Sequence, residues 1–299
     1  MINKLVSIII PTYNREREVL NCIESLFNIT YPNFEILVVD NASMDNTVVS
    51  VKKQFANIRV IELSENFGAS KARNEGIKYA EGEFLCFVDS DNMVNKNFLT
   101  ELVLLAESDP LIGFCGPKMY YLNDKTKIWY AGANISLFTS KTKYIGHNQI
   151  DRGQYDSIRE VGHIPNVWLV KKDVVKKIGL IDINYSMHYE ESDWAMRAKK
   201  AGYKIMFCPT SVVYHDIPLF KGVKSLRAII GLDNKYRVFF GARNRVLFMK
   251  KYAGKTKFIL FLIFFNNVFL IIYCLLFLLY GRIDLVKNYI KGFLIGIKE

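Results

Sequence analysis

Glu83-Phe-Leu-Cys-Phe-Val-Asp89-Ser90-Asp91 decides the fold of this 299-residue chain. A short apolar run, Phe84 to Val88, has the pattern of a strand buried on both faces, and it stops at two carboxylates one residue apart. Outward toward the N-terminus lie three similar runs. They are Val6-Ser-Ile-Ile-Ile10, closed by Pro11, then Glu35-Ile-Leu-Val-Val-Asp40, then Ile58-Arg-Val-Ile-Glu-Leu63. Helix-period segments separate them: Arg15 to Asn28, a helix beginning near Asp45, and Ala69 to Ala80. Strands alternating with helices of this length predict a doubly wound α/β layer with a mostly parallel, Rossmann-like sheet. Ligands of such sheets bind beyond the carboxyl ends of the strands. Three strands end there at chemically useful residues: Thr12-Tyr13, Asp40 and Asp89.

Residues 110–218 are less regular. Strand-like pieces occur at Ile112 to Met119, Ile128 to Ala131 and Val167 to Val170. Helices are predicted from Asp173 to Ile178 and from about Glu191 to Ala201, stopped by Gly179 and Gly202. The reading divides the chain into a catalytic domain over 1–218, a basic amphipathic segment over 219–256, an apolar helix over 257–281 and an amphipathic tail over 282–299. The apolar run, Phe258 to Tyr280, is long enough to span a ~30 Å hydrocarbon layer at ~1.5 Å per residue. Asn266 and Asn267 sit at its centre, so dipping into one leaflet is the alternative to crossing; the amides would pair with another helix, the tail or a second protomer.

The formal charge of +11 suits nucleic acid, anionic lipid or phosphorylated small molecules. Lys221, Lys224, Arg227, Lys235, Arg237, Arg243, Arg245, Lys250, Lys251, Lys255 and Lys257 crowd just before the apolar run. That placement favours an anionic membrane surface over nucleic acid, with the catalytic part on the cytoplasmic face. No signal-peptide pattern opens the sequence. Cys22, Cys86, Cys115, Cys208 and Cys274 lack metal-ligand spacing and read as reduced structural thiols.

Asp89 and Asp91, where a strand gives way to a loop, can share Mg²⁺ or Mn²⁺ with substrate phosphates; a turn with Asp at helix-capping positions is the alternative. Asp40 can accept hydrogen bonds from a base or ribose, or cap the following helix. In Asn66-Phe-Gly68, the glycine permits close backbone approach, and Lys71 and Arg73 beyond it can face phosphate. Glu190-Glu191-Ser192-Asp193 opens a helix either as simple capping or as a general base. His215 reads as structural or as a further metal ligand.

Taken together, Val6 to Arg15, Val38 to Ser43, Glu65 to Gly68, Ala72 to Gly76, Val88 to Asp91 and Tyr189 to Trp194 resemble glycosyltransferase family 2. The resemblance covers about the first 220 residues. It implies the GT-A fold and inverting transfer of a hexosyl group from a nucleotide diphosphate sugar. Tyr236 to Leu247 also resembles the segment that follows the catalytic domain in a rhamnosyltransferase-like branch. The resemblance implies that Pro11, Thr12, Tyr13, Asn14, Asp40, Asn66, Gly68, Arg73, Asp89 and Ser90 line the nucleotide pocket. It implies that Asp91 and His215, with Asp89 near the ribose, hold Mg²⁺ or Mn²⁺. Glu191 falls at the family's catalytic base, where Asp is more common, so Glu190 and Asp193 stay in play. The Gln-x-x-Arg-Trp motif of processive synthases is absent, which favours transfer of one or a few sugars to a lipid-linked, polyprenyl-phosphate type or glycolipid acceptor. A homo-oligomer through the membrane segment fits the same reading. A nucleotidylyltransferase would want a Gly-rich basic loop after the first strand, where Pro11-Thr-Tyr-Asn14 stands; a non-catalytic scaffold would not need Asp89, Asp91 and Glu191.

Overall fold

The computed structural model describes residues 3–217, 226 and 231–299, so Lys221, Lys224, Arg227 and most of 219–230 lie outside the described residues. The first half follows the alternation of the sequence: β1 (Val6–Thr12), α1 (Glu16–Phe27), β2 (Phe34–Asp40), α2 (Thr47–Gln54), β3 (Arg59–Glu62), α3 (Ala69–Tyr79) and β4 (Phe84–Phe87). β1 pairs in parallel with both β2 and β4, and β2 with β3. The paired strands place Thr12 beside Asp40 at the same sheet edge. Val88 continues the register by donating to the Ile9 carbonyl at 3.1 Å, which delivers Asp89 and Asp91 to that edge as well.

Most of the irregular middle extends the same sheet; 133–135 and 142–144 pair off as a separate two-stranded sheet. After β5 (Asn92–Val94) and α4 (Phe98–Ser108) come β6 (Ile112–Tyr121), β7 (Asp124–Tyr130), β8 (Ala133–Ile135), β9 (Thr142–Tyr144), β10 (Arg159–Glu160), β11 (Trp168–Lys171), α5 (Lys172–Ile178), α6 (Glu190–Lys200) and β12 (Lys204–His215). β11 runs antiparallel between β4 and β6, and β12 lies parallel to β6. The main order is β10-β12-β6-β11-β4-β1-β2-β3. The sheet is mostly parallel, with the antiparallel β11 as its one internal reversal along that path. The register of β12 on β6 shifts between Cys208 and Val212, around Pro209, which has no N–H for the ladder. That break hid the length of β12 from the sequence pattern. Trp194 of α6 is fully buried, edge-on to Phe87 and Phe114, and donates to the Gly179 carbonyl at 2.8 Å. It pins α6 across β4 and β6.

Among the residues described from 231 onward lie α7 (Lys235–Tyr252), α8 (Lys255–Leu279) and α9 (Ile283–Lys298). Asn234 caps α7, accepting from the Arg237 N–H at 2.9 Å. The sequence reading has an interfacial amphipathic helix here; in the structure one side of it, with Val238, Ala242, Asn244, Val246, Phe248 and Met249, is buried in the protein. Its cations also turn inward: Arg243 donates to the Asn184 carbonyl, and Lys251 pairs with Asp193 at 2.7 Å. α9 packs against α7 through Gly292 and Gly296. A Cβ at Gly292 would stand 2.3 Å from the Phe239 carbonyl oxygen, and one at Gly296 2.8 Å from that of Arg243. Both obstacles are backbone and cannot swing aside. Gly292→Ala is therefore expected to cost about 1–3 kcal/mol by forcing the helices apart. Thermal unfolding of the purified chain checks it: a Tm drop of roughly 2–10 °C is expected, and an unchanged Tm would refute the close packing.

α8 is long and apolar enough to cross a membrane, with a mean hydropathy of 2.6 and little of its surface buried in the protein. Phe261, Phe269 and Phe277 face inward, while Ile263, Phe264, Ile271, Ile272, Leu275 and Leu278 are exposed. Of the two central amides, Asn267 is satisfied within its own helix. The backbone widens to a π turn over Phe261–Phe265, and the Asn267 Nδ2 donates to the carbonyls of Leu262 at 3.2 Å and Ile263 at 2.9 Å. Asn266 is buried against the protein with its Nδ2 lacking a hydrogen-bond partner. In hydrocarbon every polar group needs an internal partner; the Nδ2 of Asn267 has one within its helix and that of Asn266 does not.

Candidate active site

The carboxyl ends of β1, β2 and β4 open into a cleft of about 1700 Å³. On its strand side stand Pro11, Thr12, Tyr13, Asn66, Gly68, Arg73, Asp89, Ser90 and Asp91. Gly68, at φ +83°, turns the chain into α3 against the Ser186 carbonyl. Asp40 does not line the cleft; it is buried, one carboxylate oxygen accepts from the Ser43 N–H at 2.9 Å, and Oδ1 has no hydrogen-bond partner. Asn14 does not line the cleft. It ties the loops after β1 and β2 together, accepting from the Met44 N–H at 2.8 Å while its own N–H donates to Ser43 Oγ. Lys71 is turned to Glu75 at 2.9 Å rather than to the cleft.

The centre is an acidic cluster built on one cation. Arg73, almost fully buried, stacks on Trp168 with its guanidinium carbon 4.8 Å from the ring centroid. It donates to Asp89 at 2.6 Å and lies 3.6 Å from Glu190 and 3.9 Å from Glu191. His188 and Tyr189 take left-handed backbone angles, φ +64° and +70°, just before α6. This sharp entry sends both Glu190 and Glu191 toward the end of β4. Glu191 accepts from the Asn166 N–H at 3.0 Å, and Asn166 is itself left-handed. With one guanidinium among three carboxylates, full ionisation is unfavourable. Burial, then the charge of Glu190, pushes the Glu191 carboxyl up to about 8; its side chain keeps 19% exposure, so water tempers the effect. Burial also raises Asp89 and Glu190, against the pull of Arg73.

Asp193 stands apart from this cluster. It is fully buried on the far side of α6, paired with Arg197 at 2.9 Å and Lys251 at 2.7 Å, and accepts from the Tyr252 hydroxyl at 2.7 Å. A carboxylate so engaged has no reach into the cleft; its work is to fasten α6 to α7.

Asp91 and His215 are neighbours, Nε2 to Oδ1 3.4 Å. Burial works to raise Asp91, but the His215 imidazole holds it below the usual carboxylate range. Nδ1 of His215 is buried without a partner. Among the described residues, no three His, Cys, Asp or Glu side chains converge as a metal cage. Two protein donors with the remaining sites left to water and diphosphate oxygens fit a hard cation that arrives with its substrate. Asp89, held by Arg73, is the less available of the two aspartates.

The opposite wall was not legible in the sequence. Trp129 of β7 stacks near Tyr144 at 5.9 Å, meets His147 edge-on at 4.6 Å and approaches His215 at 5.7 Å. These residues come from β7, β9, the turn after β9 and the end of β12, and no spacing in the sequence announces their meeting. Beyond them the cleft continues to Tyr236, Arg237 and Arg245 of α7 and to Ile272, Tyr273 and Leu276 of α8.

A parallel sheet with carboxylates gathered at its carboxyl edge in this way defines the GT-A class of glycosyltransferase. Residues 7–179 match the family model described as glycosyl transferase family 2. More than half of the chain is matched, and the chain belongs to that family. It is 27% identical over 186 residues to the glycosyltransferase GlyG of Streptococcus pneumoniae serotype 4, covering 59% of this chain and 60% of that protein. It is 44% identical over 91 residues to the UDP-Glc:alpha-D-GlcNAc-diphosphoundecaprenol beta-1,3-glucosyltransferase WfgD of Escherichia coli, covering 30% of this chain and 36% of that one. The chain thus spans less than two thirds of the length of these curated relatives. The crystal structure of Staphylococcus aureus TarS 1-349 in complex with UDP-GlcNAc superposes with a TM-score of 0.61 at 22% identity, over 96% of this chain and 79% of that one.

Proposed function

We propose that this glycosyltransferase is an inverting, metal-dependent enzyme that moves a sugar from a nucleotide diphosphate sugar to a lipid-linked acceptor at the cytoplasmic face of a membrane. The observation that carries the reading is the continuity of the cleft. One cavity joins the carboxylate cluster at the end of β4 and the start of α6 to the flank of the apolar helix α8. A donor entering on the strand side and an acceptor anchored in lipid beside α8 would meet at Glu191. WfgD, named for transfer to a diphosphoundecaprenol-linked sugar, supports that acceptor class.

In this reading the nucleotide lies against Thr12, Tyr13 and Asn66, with the buried, unpartnered oxygen of Asp40 available to a base or ribose donor group. Asp91 and His215 would hold Mg²⁺ or Mn²⁺, which supplies charge stabilisation to a leaving diphosphate. Glu191 accepts the proton as the acceptor O–H bond breaks. The acceptor oxygen forms its bond to the anomeric carbon while the bond from that carbon to the diphosphate oxygen breaks, its electron pair leaving with the nucleotide. One displacement inverts the anomeric centre. Glu190, nearer to Arg73, keeps that guanidinium in place beside the base.

A donor screen tests the reading: purified full chain in detergent, Mn²⁺, a panel of nucleotide sugars and a short polyprenyl-diphosphate glycan. A single donor class consumed with extension of the glycolipid is the expected result. Consumption of every donor with no acceptor requirement, or of none, would overturn it.

A further inference from the structure

The α7–α8 end of the cleft holds a positive charge that the donor chemistry does not use. Arg245 is only 7% exposed and lines the cleft. Its Nη1 donates to the Tyr289 hydroxyl at 2.8 Å and Nη2 to the Tyr273 hydroxyl at 3.4 Å, and the guanidinium lies 4.2 Å from the Phe269 ring centroid. Its Nε is buried without a hydrogen-bond partner. Among the described residues no carboxylate forms an ion pair with it. A guanidinium cannot shed its proton, so a buried one lacking a counter-charge is costly unless an anion visits. A second cation converges on the same ring: Lys141 Nζ is 5.6 Å from the Phe269 centroid and also lines the cleft. Beside these charges the wall changes to the apolar Ile272 and Leu276 of α8.

Charge with an adjoining greasy track selects an anionic head on an alkyl chain. We propose that Arg245 and Lys141 form a subsite for the phosphate or diphosphate of a prenyl carrier, whose chain leaves the cleft along Ile272 and Leu276. The inference rests on the lipid-acceptor reading above. It adds how the head group is held, and hence why the attached sugar presents its hydroxyl toward Glu191.

The test is equilibrium binding of farnesyl diphosphate to the detergent-solubilised full chain. UDP or GDP with Mn²⁺ is kept at saturation to occupy the donor diphosphate site. Farnesol, inorganic diphosphate and dihexanoyl phosphatidylglycerol are the comparison ligands. Farnesyl diphosphate is expected to bind at least about tenfold more tightly than each of the three, and Arg245→Gln and Lys141→Glu to weaken it by about tenfold or more. Lys53→Glu, on α2 outside the cleft, is the charge control and should change nothing. Lys141 is exposed, so its variant keeps the test alive if Arg245→Gln, which loses two tyrosine contacts, fails to fold. Equal binding of inorganic diphosphate would reassign the site to free anions, and equal binding of phosphatidylglycerol to bulk lipid; either overturns the proposal, as does unchanged affinity in both variants. Binding is read apart from transfer. Prenyl diphosphate binding through these residues without Glu191-dependent transfer would refute the function and leave the subsite standing; the converse would refute the subsite alone.

Discussion

Glu191→Gln is expected to lower the rate of sugar transfer by about 10²–10⁴-fold, the usual worth of a positioned general base, while nucleotide binding is retained. The amide keeps the shape of the carboxylate and can still accept from the Asn166 N–H, but it cannot take a proton. Two further signs distinguish a base from a structural residue. The free enzyme's kcat/KM should rise with pH toward about 8, where the Glu191 carboxyl ionises. Stability should move the other way. The folded value is raised above the ordinary ~4.3 of an unfolded glutamate. The folded state therefore binds the extra proton, and its contribution is complete below that unfolded value and is lost as pH rises toward about 8. Gln removes this loss, so the variant should melt higher than the parent by a few degrees, with the gap widening between about pH 5 and 8. Full activity of the variant would transfer the role to Glu190, which also lines the cleft. A lower Tm at every pH would contradict the electrostatic account.

Why Glu191 and not its neighbours could be selected shows what the sequence makes legible. The runs of β1, β2 and β4 and their carboxyl-end residues follow from a period and a length, because a strand buried on both faces has little choice of composition. Their parallel pairing then brings Thr12, Asp40 and Asp89 to one edge with no further information. The acidic opening of α6 was equally visible, but its orientation was not. Glu190 and Glu191 face the cleft and Asp193 faces Lys251 because of two left-handed residues, His188 and Tyr189, whose conformation no side-chain pattern announces. Arg73 reads from sequence as a phosphate ligand; in the structure it is the shared counter-charge of three carboxylates. The aromatic wall of Trp129, Tyr144 and His147 is assembled by long-range packing alone. The basic segment was legible in composition but not in the placement of its charges. Arg243 and Lys251 turn to partners inside the protein, while Arg245 lies among tyrosine hydroxyls with no carboxylate beside it among the described residues.

Removal of the divalent cation should be the other large effect. Chelation, or Asp91→Ala, is expected to cut transfer by about 10²–10³-fold, the scale seen when a single charge-stabilising group is lost from a transition state. Added Mn²⁺ or Mg²⁺ should restore the chelated parent but not the variant. His215→Ala should raise the metal concentration needed for half-maximal rate, since it removes the second donor beside Asp91. Asp91→Ala takes a like charge from the vicinity of Asp89 but also removes the carboxylate that His215 favours, so its loss of transfer is read beside its own thermal unfolding. Unimpaired transfer in excess chelator would remove the cation from the mechanism and leave Arg73 as the positive group near the leaving diphosphate.

The central claim is that one cleft brings a nucleotide sugar and a membrane-anchored acceptor together at Glu191. Its most direct measurement is the product itself, formed by the full chain in detergent from the donor that the screen selects and a polyprenyl-diphosphate glycan, and read by mass spectrometry and by the anomeric coupling in NMR. The account predicts a glycolipid extended by one or a few sugars with inverted anomeric configuration, absent with Glu191→Gln. A retained configuration, an undiminished product from Glu191→Gln, or transfer confined to soluble glycans would contradict it.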